Sequence, residues 1–168
     1  MSIASAAPCP ILVAGTGGSG PALVLEQPVS FWGGVDPVSG CIIDVRHPQH
    51  GACVSGTVLF LSATIGSSSA ASVMLELVHR GAAPVAIIMG EPDAILLAGL
   101  VVAREMGWPS PVALTLGAAQ HAGFAGRTVT VTTERVKGLL VAADGQAPGR
   151  GRGTADGGLP SGFGLRGV

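Results

Sequence analysis

The sequence predicts an α/β domain, and three observations carry that prediction. Between residues 57 and 116, short apolar runs rich in β-branched residues alternate with segments of helical period, and Gly and Pro punctuate the changes. Two further strand patterns follow, the first alternating strictly between apolar and polar. The chain has 168 residues, of which 48% are hydrophobic and 11% charged, enough apolar material to fill one core.

The same composition excludes several function classes. A formal net charge of −1 leaves no basic face for a nucleic acid. A mean hydropathy of +0.57 leaves two classes, a membrane protein or a domain that hides part of its surface against a partner. The best apolar run, AILLAGLVVA (Ala94–Ala103), is short of the roughly 20 residues a span needs, so it reads as a buried helix and no membrane association is expected. The first basic residue is Arg46, so a charged leader is missing and a cytoplasmic protein is expected. Cys9, Cys41 and Cys53 are odd in number and widely spread, without a C-x-x-C pair. They are expected as unpaired buried or loop residues, with no disulfide framework, zinc knuckle or iron–sulfur motif.

Along the chain, Met1–Pro10 reads as a flexible arm and Ile11–Gly20 as a short strand running into a glycine-rich turn. Pro21–Gln27 reads as a second strand. Pro28–Gly56, full of Gly, Pro, Asp and His, has no periodicity, and so long a loop in a compact domain is usually functional. Thr57–Ala63 is a strand by its β-branched and aromatic content. In the helix that follows, Val73, Met74, Leu77 and Val78 share one face, and Gly81 ends it. Pro84–Gly90 is a buried strand. Pro92 and Asp93 open a second helix that Gly107 closes. Pro111–Leu116, Arg127–Glu134 and Val136–Ala143 are the remaining strands. From Asp144 to Val168 the chain is Gly- and Arg-rich and reads as a flexible tail. The domain is thus expected over residues 11–143.

Four constellations compete for chemistry. GTGGSG (Gly15–Gly20) has the spacing of a dinucleotide loop, but Pro21 and a strand follow where a helix is required, so it reads as a turn between strands. In DVRHPQH, Pro48 prevents Asp44, His47 and His50 from sharing a helical face, which favours a structural loop over a metal site. SFWGGVDP (Ser30–Pro37) sets Phe31 and Trp32 beside two glycines, either as a plug on the core or as the lip of a cleft. GSSS (Gly66–Ser69) stands immediately before a helix. One serine is enough to cap it. The additional serines and the glycine suit an anion site, where helix N–H groups and hydroxyls converge and can stabilise a serine alkoxide acting as a base. From these residues alone both readings stay open. No G-x-S-x-G elbow is present.

Taken in order, SFWGGVDP, IIDVRHP, GSSS and EPDAI resemble the small, swivelling part of aconitase X, and the likeness runs from about Ile11 to Thr133. The resemblance implies a swivel-domain β/β/α barrel and the dehydration of a hydroxy acid at a cleft between this chain and a larger subunit. It implies that the large subunit carries the iron–sulfur cluster and that this chain binds no metal and is inactive alone. It also implies that Ser67, directly after Gly66, is the proton acceptor, with Gly66, Ser68 and Ser69 holding substrate. The family has two branches, acting on cis-3-hydroxy-L-proline and on mevalonate 5-phosphate. Members often have a cation before the glycine and an arginine before EPD. Here LSATIGSSS has no cation, and Gly90 takes the second place, which favours hydroxyproline. The segment from SFWGGVDP to RHP is expected near the partner-facing mouth, with Phe31 or Trp32 packed on the core. The competing expectation is a carboxylate-binding module in which GSSS holds a ligand and no chemistry occurs.

Overall fold

A computed structural model describes residues 5–134 and 137–143. The elements are β1 (Ser5–Val13), β2 (Gly18–Val24), a single distorted turn α1 (Phe31–Gly34), β3 (Val58–Leu61), α2 (Ala70–His79), β4 (Ala86–Met89), α3 (Ala94–Glu105), β5 (Val112–Thr115), a 3-10 segment (Ala118–Phe124), β6 (Thr128–Glu134) and β7 (Lys137–Ala143). The strands close into a barrel in the order β1-β5-β4-β3-β2-β6-β7. β2, β3, β4 and β5 run parallel, with α2 and α3 as the crossovers between β3, β4 and β5. The remaining pairings, of β6 and β7 with each other, with β2 and with β1, and of β1 with β5, are antiparallel.

Strand alternation divides the core in two, because successive side chains point to opposite faces. Val58, Phe60, Ala86, Ile88, Val112 and Leu114 point into the barrel and meet Val129, Val131, Leu140 and Ala142 from the antiparallel wall. Leu59, Leu61, Ile87, Met89 and Ala113 point outward and are covered by Met74, Leu77 and Val78 of α2 and Leu96, Leu100 and Ala103 of α3. One end of the barrel is closed by the 3-10 segment, whose Phe124 stacks on Phe60 at 5.0 Å. Both crossover helices end as the sequence predicts. Gly81 (φ 69°) and Gly107 (φ 73°) take the left-handed conformation, and the amides of Ala82 and Trp108 return to the Leu77 and Ala103 carbonyls, each at 2.9 Å. No helix among the described residues is long and apolar enough to cross a membrane.

Two expectations are corrected. β1 begins at Ser5, so Ser5–Pro10, expected as part of a loose arm, is a strand paired with β7 from Ser5↔Ala142 to Pro10↔Lys137. Cys41 and Cys53, expected as unpaired, form a disulfide. Its cause is tertiary: Pro28–Gly56 folds into a small ladder (Val35↔Ile42, Cys41↔Cys53) that brings the two cysteines opposite one another. Cys9 is not part of this pair and is buried inside the barrel. α2 starts at Ala70, directly after the GSSS run. The expected tail, Asp144–Val168, lies outside the described residues.

The loop Pro28–Gly56 is a small core extension. Val29, Phe31, Val35, Ile42 and Val54 are all buried in it. Its far limb is stapled to β2 by Gln49, whose Nε2 donates to the Val24 carbonyl (2.8 Å) while its Oε1 accepts from the Glu26 amide (2.9 Å). The glycine turn after β1 is explained by close packing. A Cβ at Gly15 would lie 2.4 Å from the Ser110 carbonyl oxygen, and one at Gly17 2.3 Å from that of Val131.

Candidate active site

In a parallel sheet the carboxyl ends of neighbouring strands are where loops gather to hold ligands. Here β3 ends at Leu61 and continues into the loop Ser62–Ser69, and β4 ends at Met89 and continues into Gly90–Asp93. The ladder outlasts the strands: the Gly90 amide donates to Leu61 and the Glu91 amide to Ser62, both at 2.9 Å. The two loops therefore leave the sheet side by side. Gly90 is required at this point, since a Cβ there would lie 2.6 Å from the Ser62 carbonyl oxygen. The absence of a cation at position 90 thus matches an absence of room for one.

Between the loops lies an open cleft of about 410 Å³ lined by Ala63, Thr64, Gly66, Glu91, Pro92, Asp93, Ala94 and Ile95. Gly66 is exposed, and a Cβ on it would meet nothing within 4 Å, so a ligand can approach its backbone. Ser67, Ser68 and Ser69 follow beyond the lining, where α2 begins. Ser67 is half-buried, and its Oγ accepts from the Ser69 amide at 3.3 Å. Ser68 is exposed. Ser69 occupies the N-cap position of α2, but its side chain makes no capping bond. No acidic residue stands in the first turn of α2, so the positive end of the helix dipole is not neutralised there. The serine hydroxyl that accepts a backbone N–H at this helix start is thus that of Ser67, two residues before the N-cap position.

Asp93 organises the opposite wall. Its Oδ1 caps α3 by accepting from the Ile95 amide (2.8 Å) and the Leu96 amide (3.2 Å), and its Oδ2 accepts from the Thr64 hydroxyl at 2.5 Å. Partial burial pushes the Asp93 carboxyl up. The Thr64 hydroxyl and the Leu96 and Ile95 amides outweigh that and hold it below the ordinary carboxylate range. The sequence marks Asp93 as a helix start only. Its second partner, Thr64, carries no sequence signal.

The loop Pro28–Gly56 comes alongside the same edge. Val29 bridges Thr64, and the Ile65 amide donates to the Val29 carbonyl at 3.0 Å. Of the aromatic pair, Phe31 is packed at 1% exposure and Trp32 stands out at 62%. Trp32 borders a groove of about 570 Å³ with Ile43, Val45 and Arg46. DVRHPQH is structural. His47 accepts the Gln49 amide at Nδ1 (3.1 Å), so the proton is on Nε2, which donates to the Gln27 carbonyl (3.1 Å). Asp44 pairs with Arg46 and His50 is exposed. A further cavity of about 320 Å³, at the opposite end of the parallel strands, is lined by Thr16–Ser19 and by the residues leading into β4 and β5; none of its lining side chains is titratable.

Among the described residues no three of His, Cys, Asp and Glu converge as a metal set. The thiols do not fit an iron–sulfur cluster, for Cys9 is buried in the barrel and Cys41 and Cys53 are joined to one another.

Comparison with known proteins matches residues 7–138 to the aconitase X swivel domain. The chain is 46% identical over 103 residues to the cis-3-hydroxy-L-proline dehydratase of Pseudomonas aeruginosa, covering 61% of this chain and 18% of that protein. It is 40% identical over 86 residues to the phosphomevalonate dehydratase small subunit of Methanothermobacter thermautotrophicus, covering 51% of this chain and 66% of that one. The crystal structure of Thermococcus kodakaraensis aconitase X in its holo-form superposes with a TM-score of 0.66 at 24% identity, over 82% of this chain and 98% of that one.

Proposed function

The chain belongs to the aconitase X swivel-domain family, and on that premise we propose that it is the small subunit of a dehydratase in which Ser67 removes the proton from a hydroxy acid. The observation that carries this reading is the position of Gly66–Ser67. The step joins an open, solvent-accessible cleft to the N-terminus of α2, at the carboxyl edge of β3. Holding Ser67 as the alkoxide that acts as base gains from the α2 N–H groups and dipole, and the alkoxide becomes a neutral hydroxyl when it takes the proton. In the dehydration the Cα–H electron pair becomes the new carbon–carbon double bond as the hydroxyl departs from the neighbouring carbon. Ser67 Oγ takes the proton, Gly66 lets the substrate lie against the backbone, and Ser68 and Ser69 offer hydroxyls to its carboxylate. No group of this chain is assigned to the departing hydroxyl. The iron–sulfur cluster is placed on a large partner subunit.

The substrate class we infer is cis-3-hydroxy-L-proline. No Lys or Arg lines the cleft, whereas Glu91 and Asp93 do. Such a wall opposes a phosphate and tolerates an amino acid that carries its own positive nitrogen. The second reading, a phosphomevalonate dehydratase small subunit, is favoured by the identity to the archaeal small subunit.

Co-expression with a large subunit, followed by assays on both substrates, separates the readings. We expect turnover of cis-3-hydroxy-L-proline that Ser67→Ala abolishes. Turnover of mevalonate 5-phosphate alone reverses the substrate assignment. Ligand binding without turnover in any assembly identifies a carboxylate-binding module instead.

A further inference from the structure

The Ser67 loop is held to the rest of the site in an uneven way. Its backbone is fixed at Thr64 and Ile65 by Val29. From Gly66 onward it depends on itself: the Ser67 carbonyl receives the Ala70 amide (3.1 Å) and the Ser67 hydroxyl receives that of Ser69 (3.3 Å). Among the described residues, one side-chain hydrogen bond alone ties residues 62–69 to another element, the one from Thr64 to Asp93. The other carboxylate of the cleft, Glu91, is exposed and makes no side-chain hydrogen bond among the described residues.

We propose that Asp93 is a positioning residue for Ser67. Through the Thr64 hydroxyl, its carboxylate fixes the spacing between the two walls of the cleft and thereby the place of the base. The inference rests on the reading of Ser67 as base.

The two oxygens of Asp93 have separate tasks. Oδ1 is committed to the first turn of α3, a rigid crossover whose inner face is buried, so the carboxylate cannot wander. Oδ2 is left to face the neighbouring loop, and Thr64 fills it. The bond spans 29 positions in sequence but joins the loops that follow two adjacent strands. It lies three residues before Ser67, close enough that its loss is felt at the serine and far enough that it does not touch the reacting atoms. Misplacing a catalytic group by about 1 Å can cost on the order of 10²-fold in rate. A tether of this kind therefore acts on kcat more than on binding.

The test uses the full chain assembled with its large subunit, in the variants Thr64→Val, Thr64→Ser, Asp93→Asn and Thr64→Val/Asp93→Asn, with Ser67→Ala as reference. Thr64→Val is expected to lower kcat by roughly ten- to a hundredfold while KM moves by less than about threefold. Thr64→Ser, which returns the donor, recovers most of the loss. The double variant falls no further than Thr64→Val, because that change alone removes the bond through which Asp93 acts. In the chain alone, hydrogen exchange at the amides of residues 66–69 is expected to quicken by on the order of tenfold in Thr64→Val, with β3 and β4 unchanged. If Thr64→Val lowers the melting temperature, recovery in Thr64→Ser and exchange that quickens at residues 66–69 alone decide. An unchanged kcat together with unchanged loop exchange overturns the proposal while the Ser67 reading stands. Full activity in Ser67→Ala overturns the base reading instead, and unchanged exchange would then also reject the tether.

Discussion

The two irregular segments that meet at the cleft are built by opposite means. Pro28–Gly56 has its own buried side chains, its own ladder, a disulfide and the Gln49 staple to β2. Ser62–Ser69 buries no side chain of its own and is held by the backbone bridge to Val29, the Glu91 amide on the Ser62 carbonyl and one hydroxyl to Asp93. The long segment is stable because of what it packs, and the short one is placed by what it hangs from. A site whose reacting group must face an open cleft cannot bury that group in a core, so its precision has to come from its supports.

The contrast can be broken most sharply at Ser67. Ser67→Ala is expected to reduce turnover of the assembled complex about 10²–10⁴-fold with unchanged circular dichroism and melting temperature, since nothing of the core rests on it. Ser68→Ala is expected to cost less and to act through KM. Loss of turnover in Ser68→Ala with activity retained in Ser67→Ala moves the base by one residue. The opposite behaviour belongs to Phe31. Truncating this fully buried ring to alanine should destabilise the chain by about 3–5 kcal/mol in a urea titration, even though no chemistry is assigned to it.

Reducing Cys41–Cys53, or replacing both by serine, should cost about 2–3 kcal/mol, the scale expected for closing a loop this short. It should leave the geometry of Gly66–Ser69 unaltered, as read from the amide shifts of those residues. A shift at Ser67 would show that the two segments are coupled more tightly than their Val29 contacts suggest. The smallest effect is that of acid on Asp93. Its carboxyl lies below the ordinary range when folded, so its contribution is complete above the unfolded value near pH 4 and fades as pH falls through the folded value. The stability gap between the native chain and Asp93→Asn, about 1 kcal/mol at neutral pH, should therefore close as pH falls through the folded value. A gap that widens in acid would mean the carboxyl is raised.

Legibility in the sequence followed the range of the forces involved. The helices, the parallel strands and their glycine stops are local patterns, and each lies within a few residues of its expected place. The first part of β1, Ser5–Pro10, is hidden because Pro8 and Pro10 argue against a strand. They are accommodated because Ser5–Pro10 pairs on one side only, with β7, and an edge tolerates a missing N–H. The cysteine pair and the Thr64–Asp93 bond join residues brought together only by tertiary folding, and no spacing announces them. The proposal of Ser67 as base rests on the resemblance, while the neighbourhood of Thr64, Glu91 and Asp93 emerges only once β3 and β4 are side by side.

Gln49 has a consequence for how the chain behaves in a crowd. Beyond Pro21, β6 no longer accompanies β2, and the Val24 carbonyl and Glu26 amide would stand open like the margin of an unfinished sheet. Such a margin invites a strand from another molecule. A single amide side chain occupies the donor and acceptor that the visitor would need. In a protein with so few charges to keep its copies apart, this substitute neighbour serves as a guard against self-association as well as a staple.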